Sequence, residues 1–171
     1  MICLAALAMA ATAVPATTSF CRDYQAVVDQ AFRGFRKYRG VIETDNDLGF
    51  DKTFEATLSM PGARCQVNET ETDYSYVCTW KHGSADDWSG AVAEARNLGK
   101  ALANCSRLAF VDAGEGPTSR GQQWSGFVGF KYDTRIRVEV GAQRWETRSR
   151  LLPPQQLIIT MRVRYRRETR S

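Results

Sequence analysis

The feature that most limits how this chain can fold is a pair of cysteines set in two neighbouring strand-like runs. Ala63-Arg64-Cys65-Gln66-Val67 and Tyr74-Ser75-Tyr76-Val77-Cys78-Thr79-Trp80 carry β-formers between polar residues, and the polar run 68–73 separates them. A hairpin symmetric about that run places Cys65 and Cys78 nearly opposite one another, within the Cβ–Cβ distance of about 3.8 Å that a disulfide needs. A helix follows, opening with Ser84-Ala85-Asp86-Asp87. Ser84 can cap the free backbone N–H groups there, and the two Asp sit at the positive end of the helix dipole. From that point Trp88, Ala91, Val92, Ala95, Leu98, Leu102 and Cys105 recur at helical spacing and make one apolar stripe. Small residues in and beside the stripe, Gly90, Ala91, Ala95 and Gly99, let a helix lie close on a sheet, so packing explains it better than a cofactor site does.

The N-terminus reads as a signal peptide over residues 1–16. An apolar run from Ile2 to Val14 is followed by small residues, it is shorter than the roughly 20 residues of a membrane span, and no later segment is apolar for as long. The expected location is therefore outside the cytoplasm, periplasmic or secreted. Cys3 leaves with the leader, and Cys21, Cys65, Cys78 and Cys105 remain; an even count in an exported chain points to two disulfides. Four cysteines allow three pairings. The hairpin geometry favours Cys65–Cys78 and leaves Cys21–Cys105, which would tie the start of one helix to the end of another. No CxxC pair or neighbouring His supports a metal site, and no cofactor motif is present. Residues 17–171 then fit one domain.

Along that domain, a first helix is expected from about Arg22 to Tyr38, with Tyr24, Val27, Val28, Ala31, Phe32, Phe35 and Tyr38 on one face and Gly40 as its stop. The acidic run Glu43 to Asp51 invites a calcium reading, but an EF-hand needs oxygen ligands where Gly49 and Ala56 stand. Strands are expected over 53–59, 126–132, 135–140 and 156–166 besides the cysteine hairpin. The Gly- and Pro-rich run 112–121 reads as a loop, and 141–156 as irregular. The order is αβββαβββ, an α+β domain whose antiparallel sheet of about six strands carries two helices on one face. Trp80, Trp88, Phe32, Phe35, Leu98 and Leu102 are the expected core.

Charge is the clearest functional signal. The chain has 23 Lys or Arg against 19 Asp or Glu, yet residues 131–171 hold 11 of those cations and only 4 of the acids. In the last strands Ile136, Val138 and Val140 alternate with Arg135, Arg137 and Glu139, and Ile159, Met161 and Val163 alternate with Arg162, Arg164 and Arg166. Arg135, Arg137, Arg162, Arg164 and Arg166 are thus the candidate anion patch, although Arg stems covering a solvent face give the same pattern. Aromatic residues are not interleaved on that face, so specific nucleic-acid binding is not expected.

Catalysis has little to stand on. His82 is the single histidine, in the turn-like setting Lys81-His82-Gly83-Ser84, and bridged thiols are not nucleophiles. Asp86 and Asp87 point about 100° apart on a helix, where capping already accounts for them. Asn68-Glu69-Thr70 is a glycosylation sequon in the expected hairpin loop. The expected function is an exported binding or inhibitory module acting through contacts with a protein partner, without catalytic activity. The alternative is binding of an anionic polymer or membrane surface through the arginine-rich face.

Overall fold

The computed structural model describes residues 17–45, 52–83, 86–118, 121–129, 135–145 and 156–167. Thr18–Asp29 forms α1, and two single 3₁₀ turns, Ala31–Arg33 and Arg36–Tyr38, lead from it into the sheet. The strands Arg39–Asp45, Lys52–Ala56, Arg64–Glu69 and Asp73–Lys81 are β1 to β4. Trp88–Ser106 is α2, followed by β5 (Phe110–Thr118), β6 (Gly121–Val128), β7 (Ile136–Trp145) and β8 (Gln156–Arg166). All eight strands join one antiparallel sheet in the order β1-β2-β3-β4-β8-β7-β6-β5. The class is α+β, as expected, but with eight strands among the described residues in place of about six. Each half of the chain is one helix followed by a four-stranded meander, and the halves meet where β4 pairs with β8.

The period of two fixes what each face of the sheet carries, because residues paired across antiparallel strands point the same way. One row runs Phe54, Val67, Tyr76, Val163, Val138, Val128, Phe110 across seven strands. The next runs Cys65, Cys78, Met161, Val140, Gly126, Asp112. This is the face the helices cover. Tyr24 and Val27 of α1 and Ala91, Ala95, Leu98 and Leu102 of α2 belong to the same buried cluster as those rows. Leu98 and Leu102 are 2% and 0% exposed, and burial of such a side chain contributes about 1.5–3 kcal/mol. The small residues in the stripe have a specific use: a Cβ added at Gly99 would overlap the Phe110 ring, and one at Gly126 would come within 2.7 Å of it. Two glycines, one on α2 and one on β6, make the slot that Phe110 fills.

Several boundaries depart from the sequence reading. The helix expected over 22–38 ends at Asp29 and gives way to the 3₁₀ turn Ala31–Arg33, and it cannot resume because Gly34 and Phe35 both take left-handed backbone, at φ 63° and 56°. Its start is set by Thr17, whose hydroxyl accepts from the Phe20 N–H at 3.2 Å. Breaking the helix there spoils its apolar face: Phe35 is fully buried, whereas Phe32, expected in the core, is 50% exposed. Trp88, also expected there, is only partly buried. Gly40 is a strand residue in β1. The run 112–121 is mostly strand, forming β5 and the start of β6, and residues 141–145 extend β7. The N-cap of α2 is Asp87, whose carboxylate accepts from the Gly90 N–H at 2.9 Å. Ser84 lies outside the described residues, as do the leader 1–16 and residues 46–51 of the acidic run.

Two disulfides close the architecture. Cys65 and Cys78 are register partners in the β3–β4 hairpin. Cys21 near the start of α1 is bonded to Cys105 near the end of α2, at a Cα separation of 5.1 Å, so the start of one helix is tied to the end of the other. No helix among the described residues is long and apolar enough to cross a membrane.

Candidate functional site

His82 follows β4 directly, and its backbone N–H still donates across the sheet to Leu157 O. The turn-like setting read from the sequence does not leave it exposed: its side chain is 5% exposed, held between two carboxylates of α2's first turns. Nδ1 lies 2.9 Å from Glu94 Oε2, and Nε2 lies 3.4 Å from Asp87 Oδ2. Asp87 also accepts the Gly90 N–H, and that bond, followed by the His82 contact, holds its carboxyl below the usual carboxylate range. Both ring nitrogens face carboxylates of the protein itself. The arrangement clamps the start of α2 to the end of β4. Glu94 was not singled out by sequence reasoning; its signal is only that it lies on the sheet-facing side of a helix whose stripe was already read.

The face turned away from the helices holds the arginines. Its rows run Thr53, Asn68, Ser75, Arg164, Arg137 and Glu55, Gln66, Val77, Arg162, Glu139, Phe127, Val111. A third runs Arg64, Thr79, Thr160, Gly141, Ser125. Asn68 is therefore a strand residue with its side-chain carbonyl buried, and the sequon does not begin in a loop. Arg137, Arg162 and Arg164 share the face, with Arg166 beyond Arg164 on the same strand. Arg164 donates to Asp73 at 2.6 Å, and that bond raises its guanidinium further above its ordinary range. Arg137 sits 3.1 Å from Glu139 and 4.0 Å from the centre of the Phe127 ring. Asp73 is the carboxylate that the charge count of the last strands did not include, since it enters from β4. Arg162 and Arg166 make no ion pair among the described residues.

Arg135 stands apart from the other four. It precedes β7, where the alternation has not begun, and its guanidinium lies over Phe32 and Tyr165 at 5.6 and 5.9 Å, on the helix side of the sheet. Arg39 and Arg167 also gather at this end around Tyr74, with Arg167 at 3.9 Å from the ring centre. Glu69 accepts from both of them.

Among the described residues no group of three or more His, Cys, Asp or Glu side chains could hold a metal ion. Comparison with protein-family models, with curated proteins and with solved structures finds no match for this chain.

Proposed function

We propose that the chain is an exported binding module that acts through contacts with another protein, using the uncovered face of its sheet. The observation that carries this reading is the pairing of most arginines on that face: Arg164 with Asp73, Arg137 with Glu139 and Arg64 with Glu43, beside broad rows of Thr, Ser and Gln and the apolar Val77, Phe127 and Val111. Such a surface offers a partner hydrogen bonds and contact area. The two disulfides support export, since bonds of this kind persist in oxidising compartments. A second reading, binding of an anionic polymer or membrane surface, is favoured by Arg162 and Arg166, which have no acidic partner among the described residues.

Salt and one substitution separate the two. Thr79 lies in the middle of the face, paired with Arg64 and Thr160. In pull-downs from the native compartment, a partner protein captured by the wild type, retained at 0.5 M NaCl and lost with Thr79→Arg supports the protein-contact reading. Retention on heparin or anionic vesicles that disappears at the same salt, and with Arg162→Glu and Arg166→Glu together, supports the other.

A further inference from the structure

The break in the first helix creates a groove on the opposite side of the molecule from the open sheet face. It has a volume of about 580 Å³ and is lined by Gln30, Phe32, Arg33, Arg36, Lys37 and Tyr74. None of these six is acidic. Arg33, Arg36 and Lys37 are exposed, and their side chains make no ion pair or hydrogen bond among the described residues. Arg135 and Arg167 lie behind them, over Phe32 and Tyr74 respectively. The Glu69 carboxylate near this end is already taken by Arg39 and Arg167.

The backbone here is strained in a way that serves the groove. Phe35 holds left-handed backbone without being glycine, and its ring is buried 5.9 Å from that of Tyr76. Gly34, also left-handed, presses on the Tyr74 ring, where an added Cβ would lie 3.0 Å from three ring atoms. Held in this way, the segment leaves Phe32 half exposed among cations, with its ring 5.3 Å from that of Tyr165. A non-glycine residue in this conformation persists only where the surroundings impose it, and such sites are often functional.

We propose that this groove binds a nucleotide, free or within a single strand: a phosphate-bearing ligand whose flat ring lies on Phe32 while Arg33, Arg36 and Lys37 hold its phosphates. Concavity separates this ligand from a membrane surface, and the volume lies in the range of small-molecule sites. The exposed Phe32 ring beside Arg33, Arg36 and Lys37 separates it from a plain inorganic anion, because every base has a face to stack and a phosphate has none. The open sheet face is not involved, so the inference does not depend on the protein-contact reading.

Calorimetric titration tests it with ATP, tripolyphosphate and adenosine against the full disulfide-bonded protein. ATP should bind saturably, more tightly than tripolyphosphate, and should weaken at least tenfold with Arg33→Glu and Arg36→Glu together. Phe32→Ala should weaken ATP at least threefold and leave tripolyphosphate within twofold. Arg137→Glu with Arg162→Glu, on the far face, should leave ATP binding unchanged. Tighter binding of a short oligothymidylate than of ATP identifies a strand as the source, and weaker binding identifies the free nucleotide. No saturable ATP binding, equal losses from the far-face pair, or a Phe32→Ala variant that binds ATP like wild type overturns the assignment. All five substituted residues are on the surface, and circular dichroism checks that each variant is folded.

Discussion

Asp112 accepts three hydrogen bonds from three different parts of the fold. Arg96 Nε of α2 donates at 2.7 Å, Trp124 Nε1 of β6 at 2.9 Å, and the Gly114 N–H across the β5 bulge at 3.0 Å. The Arg96 bond, above all, holds its carboxyl below the usual carboxylate range. A carboxyl depressed in the folded state adds stability above its unfolded pKa, near 4, and loses that contribution as pH falls through the folded value. The Asp112 and Arg96 side chains are each 39% exposed, so the expected cost of Asp112→Asn at pH 7 is that of a screened surface pair, about 0.2–1 kcal/mol. Urea titrations of wild type and variant should therefore converge as pH drops below 4, and a gap that stays constant with pH would show that charge is not what Asp112 contributes. His82 and Glu94 give a sharper case, because both side chains are mostly buried. His82→Ala leaves the Glu94 carboxylate without this partner and should destabilise by about 1–3 kcal/mol. A double-mutant cycle with Glu94→Ala should return a coupling of about 0.5–3 kcal/mol, whereas a value near zero would mean that the clamp is incidental to α2.

At the level of elements, the covalent links act on very different lengths of chain. Cys65–Cys78 spans 13 residues and Cys21–Cys105 spans 84. Chain-entropy reasoning assigns about 3 kcal/mol to a loop like the first and about 4.5 kcal/mol to one like the second. Replacing Cys21 and Cys105 by Ala should thus lower the denaturation midpoint further than replacing Cys65 and Cys78, and the reverse order would mean that packing around the hairpin bridge outweighs loop closure. Leu98→Ala in α2 should cost about 2–5 kcal/mol, measured in the same unfolding assay, since Leu98 is 2% exposed over the sheet. That stripe was legible because 3.6-residue periodicity survives wherever one helix face is buried. The cysteine hairpin was legible for a similar reason, its alternation of two fixing the register that sets Cys65 against Cys78. β5 was not: Gly114 at φ 87° sits at a bulge, and Gly116 and Pro117 are tolerated because this is an edge strand with one side unpaired. The end of the first helix was missed for the opposite reason, since Phe35 keeps the helical spacing in sequence while its backbone leaves the helix. Of the candidate arginines, period-two alternation located the four within or at the end of strands, and failed for Arg135, which stands in the turn before β7. The counter-charge from Asp73 was invisible for want of a strand order, because β4 meets β8 only across 91 residues of sequence.

The whole molecule is two copies of one plan, a helix and a four-stranded meander, joined along a single seam. β4 and β8 pair over their full overlap, from Asp73 opposite Arg166 to Lys81 opposite Ile158, and this ladder carries the core residues Tyr76, Cys78, Met161 and Val163. The outer strands have less to hold them. β1 pairs with β2 through two irregularities and leaves Val41 72% exposed, while β5 pairs through a bulge and leaves Val111 53% exposed. Stability follows that gradient, because an amide is freed by whatever opening breaks its bond at least cost, and edge bonds break without disturbing the core. Amide hydrogen exchange should therefore be slowest at Tyr76 to Trp80 and Ile159 to Val163, approaching the rate set by global unfolding. The amides of β1 and of Gly114, Glu115, Gly116 and Thr118 should exchange much faster. Comparable protection in β1 and β8 would mean that the sheet opens only as a unit. Faster exchange throughout β5–β8 than throughout β2–β4 would mean that the seam divides two independently opening halves, in which case the Cys21–Cys105 bond, which crosses from one half to the other, becomes the principal tie between them.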